Sequence, residues 1–198
     1  QTGVDNAFGL LNVYVQDAAA AYQENVMLRQ GINLYGSGTM ITGANGATFG
    51  NGIAPIVDGM GRGPAITVAD STLVRGFTVQ NTDTGGGAVM VNLPVMGAMD
   101  VSRVGILGND ATDITLTENT LTGNSHGALL TRKGDFNLLF SNSMVKDNDQ
   151  NGMLIIGEGN SGTFNALVEN STFQNSGWEG LGIGASQYDS SLVHIQNS

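Results

Sequence analysis

Two short motifs alternate along this 198-residue chain, and a repeat of that kind limits the fold more than any local propensity. The first has the form apolar-x-x-small or Asn-x-apolar. It occurs as Val74-Arg-Gly-Phe-Thr-Val79, Leu116-Thr-Glu-Asn-Thr-Leu121, Leu139-Phe-Ser-Asn-Ser-Met144 and Val168-Glu-Asn-Ser-Thr-Phe173, with a fifth copy starting at Val193. An Asn follows each complete copy, at Asn81, Asn124, Asn148 and Asn175. Then comes a Gly that opens a short apolar run: Gly87-Ala-Val-Met-Val91, Gly127-Ala-Leu-Leu130, Gly152-Met-Leu-Ile-Ile156 and Gly180-Leu-Gly-Ile183.

Short runs rich in aliphatic residues, bounded by Gly, Asn or Asp, read as strands closed by turns. A repeat of about 23 to 29 residues with two or three such strands and no helix is one coil of a parallel β-helix, each coil stacking on the last. The expected fold is therefore all-β, a right-handed parallel β-helix (solenoid) of about 6 to 8 coils. Residues 1–198 form a single unit, expected to be a segment of a longer protein. Asn suits the bends because it tolerates left-handed backbone angles and its amide can bond to the next coil. Asn119 and Asn142 are expected as ladder positions, with Phe77 and Ser171 as their equivalents.

Composition agrees with this reading and excludes others. Gly accounts for 30 residues and charged side chains for only 12%, which disfavours helical classes. The net charge of −10 argues against nucleic acid and anionic membranes as partners. Zero Cys excludes disulfides, thiolate metal sites and Cys nucleophiles. Upstream, Asn12-Val-Tyr-Val15, Asn25-Val-Met-Leu28 and Gly31-Ile-Asn-Leu-Tyr-Gly36 read as the first coils, with Tyr22-Gln-Glu24 closing a hairpin or capping turn. Residues 43–63 read as a long surface loop anchored by Ile53, Ile56 and Val57. The 42-residue gap between Val74 and Leu116 is one coil with an insertion or two short coils, with an irregular loop the simpler expectation.

The run from Tyr22 to Leu28, Gly31 to Gly38, Pro64-Ala-Ile-Thr-Val68 and Val74 to Asn81 resembles the start of right-handed parallel β-helix proteins of the pectate-lyase-like superfamily. Glu118-Asn-Thr-Leu-Thr-Gly-Asn124 and Glu169-Asn-Ser-Thr-Phe-Gln-Asn175 resemble its repeat. That superfamily includes polysaccharide lyases, glycoside hydrolases and epimerases, and also adhesins, autotransporter passengers and phage tailspikes, so the resemblance implies fold rather than activity. Gly86-Gly-Ala-Val89 resembles an element of surface passengers, although their Phe-x-x-Asn tetrapeptide is missing.

Hydrolases of this type carry an Asn-Thr-Asp motif, an Asp-Asp pair, a Gly-His-Gly and an Arg-x-Lys. Here Asn81-Thr-Asp83, Ser125-His-Gly127 and Arg132-Lys133 are similar, but the chain has no Asp-Asp pair. Inverting hydrolysis needs two carboxylates flanking the scissile bond, and His126 fits better as the residue before a repeated Gly, equivalent to Gly86, Asn151 and Glu179. A lyase or epimerase needs a base beside a uronate carboxylate neutralised by Ca²⁺ or Arg. The candidates for that role are Arg132, Lys133 and Asp135, with Asp147, Asp149 and Glu158 nearby. Calcium is expected only under that alternative, and otherwise no cofactor or metal.

An adhesive role asks less of the sequence. Trp178 and Tyr188, with Tyr35, are candidates to stack on a glycan or protein partner. The function expected is that of a non-catalytic segment, secreted or exposed on a bacterial surface, acting as adhesin, passenger or structural stalk. Its partner would be a host or cell-surface protein or glycan, with no nucleic acid and no membrane insertion. The alternative is a polysaccharide lyase, epimerase-like enzyme or glycan-binding module.

Overall fold

The computed structural model describes residues 12–43, 45–85, 87–159 and 161–198, so Gly86 lies outside the described residues. The chain is all-β, without a helix among those residues, and is built from three parallel sheets whose strands stack regularly, consistent with a β-helix. Sheet A stacks Asn12–Val15, Asn33–Gly36, Leu73–Arg75, Ile114–Thr117, Phe136–Ser141, Thr163–Glu169 and Ser190–Gln196. Sheet B stacks Tyr22–Gln23, Ile56–Asp58, Thr78–Gln80, Thr120–Thr122, Met144–Lys146 and Thr172–Gln174. Sheet C stacks Val26–Met27, Ile66–Val68, Val104–Asn109, His126–Lys133, Met153–Glu158 and Leu181–Ser186. The chain visits A, B and C in turn, so each strand pairs with its counterpart one circuit away.

The register fixes which residues are equivalent. Along sheet A, Leu34, Val74, Leu116, Phe140 and Val168 form one column, continued by Val13 and Ile195 at its two ends. The five central members are buried. Val57, Val79, Leu121 and Val145 from sheet B, and Ile66, Ile106, Ala128 and Met153 from sheet C, complete one continuous core. Within it Phe136 and Phe164 stack with centroids 5.0 Å apart. Alternation along each strand sends every second side chain inward, and stacking brings identical faces together.

The third and fifth motif copies therefore start later than the sequence suggested. Phe140, not Leu139, is the partner of Leu116, and Ile195, not Val193, is the partner of Val168. Asn142 is likewise corrected: it is exposed, with φ +50°, and Ser143 takes the ladder position. The A-to-B bend carries a column of left-handed residues, Gly76, Glu118, Asn142, Asn170 and Asn197. Each is followed by a ladder residue, in order Phe77, Asn119, Ser143, Ser171 and Ser198. The Phe77 N–H donates to Asn119 Oδ1 at 3.1 Å, the Asn119 N–H to Ser143 Oγ at 3.1 Å, the Ser143 N–H to Ser171 Oγ at 3.3 Å and the Ser171 N–H to Ser198 Oγ at 3.3 Å. The B-to-C bend repeats the device. Gly123, Asp147 and Asn175 are left-handed, and the Asn124 N–H donates to Asn148 Oδ1 at 3.1 Å. Asn175 therefore supplies the turn, and Ser176 stands where Asn148 does.

The Gly of the second motif has a steric cause. A Cβ on Gly105, Gly127 or Gly152 would collide with the carbonyl oxygen of Gly127, Gly152 or Gly180, the equivalent residue of the next coil. Gly105 belongs to this column and Gly87 does not, so the residue equivalent to His126 is Val104 rather than Gly86.

Both long coils contain antiparallel hairpins instead of irregular loops. Met90–Leu93 pairs with Gly97–Asp100 and lies on the outward face of sheet C, where Leu93 and Val101 pack with Val104, Leu107 and Leu129 as a second small core. Ile41–Thr42 pairs with Thr48–Phe49. Of the expected loop anchors only Val57 is buried, Ile53 and Ile56 being exposed. Tyr22–Gln23 closes no hairpin and is instead a parallel strand of sheet B.

Candidate functional site

The outward face of sheet A carries an open groove of about 630 Å³ spanning the last four strands. That volume suits a drug-sized or extended ligand. Its floor is the half-buried pair Leu139 and Leu167, extended by the exposed Leu192. One rim is an amide ladder: Asn137 Nδ2 donates to Asp113 Oδ1 at 2.8 Å, and Asn165 Nδ2 to Asn137 Oδ1 at 2.9 Å. Thr115, His194 and Gln196 complete the lining. Beside the groove, Ser141 Oγ donates to Thr117 Oγ1 at 3.0 Å and Gln196 Nε2 to Glu169 Oε2 at 2.7 Å.

Toward the first coils the same face becomes aromatic. Tyr14 and Tyr35 stack with centroids 5.4 Å apart, and Phe49, from the first hairpin, packs on Tyr14 at 4.8 Å. Asn33 Nδ2 donates to Asn12 Oδ1 at 3.0 Å. In the middle, Arg75 pairs with Glu118 at 2.6 Å, and that guanidinium holds the Glu118 carboxyl below its ordinary range.

Arg132, Lys133 and Asp135 do come together, at the C-to-A bend, but in structural roles. Arg132 donates from Nη1 to the Asp110 carbonyl at 2.5 Å and from Nε to the Asp135 carbonyl at 3.1 Å. Asp135 Oδ1 accepts the Thr163 N–H at 2.8 Å. Lys133 Nζ lies 3.9 Å from Glu158 Oε2. Asp149 is paired with Arg103 at 2.6 Å, and Asp147 accepts from Asn175 at 3.1 Å. No group of three His, Asp or Glu among the described residues is placed to hold a metal ion.

The aromatic candidates divide. Trp178 is 71% exposed at the B-to-C bend. Tyr188 is half-buried: its ring packs on Phe164 at 5.4 Å and its hydroxyl donates to the Gly134 carbonyl at 3.0 Å, so it braces the core. Burial pushes its hydroxyl up from the ordinary value. His126 is buried with Nδ1 unpartnered, and burial pushes its imidazole down, keeping it neutral. Asp58 is also buried. Burial alone would raise its carboxyl, but hydrogen bonds from Gln80, Met60 and Thr82 outweigh that and hold it below the usual carboxylate range.

The chain matches no protein-family model, no curated protein and no solved structure. The surface itself is therefore the guide to function. The leucine groove was missed in the sequence, although Phe136-Asn-Leu-Leu139 and Phe164-Asn-Ala-Leu167 announce it as a repeated Phe-Asn-x-Leu tetrad. In each copy the Phe faces the core and the Asn and Leu face outward.

Proposed function

We propose that the chain is a right-handed parallel β-helix segment of the pectate-lyase-like type, secreted or displayed on a bacterial surface, that acts by adhesion and not by catalysis. The outward face of sheet A is its recognition surface. The observation that carries this reading is the groove over Leu139 and Leu167: apolar on its floor, lined by amides and hydroxyls, and preformed on stacked strands. Preformed apolar concavities with a few fixed polar groups bind at low ordering cost. The charged groups of the C-to-A bend, in contrast, are engaged with neighbouring coils.

The test is binding of the intact chain to arrayed glycans and to immobilised cell-surface proteins. Leu167→Lys should reduce capture at least tenfold and leave far-UV circular dichroism unchanged. The same preparation is incubated with uronate and neutral polysaccharides. Unsaturated products or new reducing ends that disappear in Arg132→Ala or Asp135→Ala would overturn the adhesive reading in favour of a lyase or hydrolase.

A further inference from the structure

Resting on the reading of sheet A as the recognition surface, we infer that the groove's partner is a second copy of this chain, docked face to face with its coils in reverse order. The argument is the symmetry of the outward columns. Three columns cross the last four sheet A strands that line the groove: Asp113, Asn137, Asn165 and Leu192; Thr115, Leu139, Leu167 and His194; Thr117, Ser141, Glu169 and Gln196. Consider a two-fold axis in the plane of the interface, parallel to the strands and midway between Phe136–Ser141 and Thr163–Glu169. It reverses coil order and preserves position along the strand. Leu139 then meets Leu167 of the second copy, Asn137 meets Asn165, Ser141 meets Glu169, and Thr115 meets His194.

The two central contacts match in chemistry, leucine on leucine and amide on amide, while Ser141, buried with its hydroxyl donating to Thr117, lies opposite Glu169 without a bond to it. The acidic residues Asp113 and Glu169 fall opposite Leu192 and Ser141, so no like charges are brought together. This is the self-complementarity an isologous contact requires, in which i meets j and j meets i. A two-fold axis along the coil stack would instead keep coil order, setting Leu139 against Leu139 and Thr115 against Thr115. Faces packed this way lie about 10 Å apart with strands nearly aligned. At a net charge of −10 per chain, screening by salt should strengthen the pair.

The experiment is sedimentation velocity with the intact 20.5 kDa chain over a range of concentrations. The expected result is a reversible species of twice that mass. Leu139→Lys and Leu167→Lys, at half-buried outward positions, should each weaken it at least a hundredfold with unchanged circular dichroism. Met144→Lys, on the outer face of sheet B, should leave it intact. Because the chain lacks Cys, single Cys variants report the order of the coils. A mixture of Thr115→Cys and His194→Cys should be joined by a short bis-maleimide, which spans opposed faces about 10 Å apart where a direct disulfide would not reach, and Thr115→Cys alone should not. A monomer at all concentrations, a dimer indifferent to both lysines, or cross-linking by Thr115→Cys alone would each overturn the inference. If the chain stays monomeric and Leu167→Lys still abolishes glycan or protein capture, self-recognition fails and the sheet A reading stands.

Discussion

At the A-to-B bend, adjacent residues do different work, and both tasks suit Asn. The left-handed position favours Gly or Asn because other side chains crowd the backbone there. The ladder position needs a short side-chain oxygen within reach of the preceding coil. Asn142 and Ser143 separate the two roles. Asn142→Ala should cost about 1 kcal/mol of strain, with Asn142→Gly close to neutral. Ser143→Ala should cost about 1–3 kcal/mol because it orphans the buried Asn119 N–H. Urea denaturation of the three variants would rank them. Sequence reading found the bend but chose the wrong neighbour, since an Asn in the string does not say which of the two tasks it performs.

His126 gives a second prediction on this scale. Burial lowers its folded-state pKa below the ordinary 6.5, so the unfolded chain binds the proton more readily. Stability is complete above about pH 6.5 and falls as the pH drops from there toward the lowered folded value. Denaturation midpoints measured from pH 7.5 to 5 should decline in the wild type. His126→Gln should flatten that decline whatever its effect on overall stability. An unchanged slope in the variant would remove His126 as the cause.

The glycine column at the start of sheet C works on the scale of the element. Gly127→Ala would press a methyl group into the Gly152 carbonyl and to 3.0 Å from Val145 Cγ1, neither of which can yield without shifting a strand. The expected cost is about 1–3 kcal/mol, measurable as a lowered thermal midpoint. Gly87→Ala, with nothing within 4 Å, should have a far smaller effect. The contrast explains an error of sequence reading. Gly87-Ala-Val-Met-Val91 matches the motif in spelling, yet the strand that continues sheet C is Val104–Asn109. The intervening hairpin was invisible because its partners find each other locally, outside the repeat, and because its apolar side covers Leu107 and Leu129 from the outside.

For the whole molecule, contacts run almost wholly between neighbouring coils, so stability is close to a sum of coil terms and interfaces. Hydrogen exchange should be slowest in His126–Lys133 and Phe136–Ser141, which have a paired coil on each side. It should be faster in Asn12–Val15 and Ser190–Gln196, at the two ends of sheet A. Equal protection throughout would point to a single all-or-none unit. The stacked parallel architecture was legible because repeated strands and bends must recur in the sequence that builds them. The groove was less so. It arises from outward residues of four strands whose neighbourhood depends on register, and the motif reading had misplaced that register by one residue at Leu139 and by two at Val193.

The side-chain ladder of the A-to-B bend has a direction. In each step a backbone N–H of the earlier coil donates to an oxygen of the later one, from Phe77 to Asn119, Ser143, Ser171 and Ser198 in turn. A chain laid down from its N-terminus therefore leaves one donor unanswered at the growing end until the next circuit arrives with the oxygen. The finished circuit is a mould for its successor, and the order in which the polypeptide emerges is also the order in which these bonds can be completed.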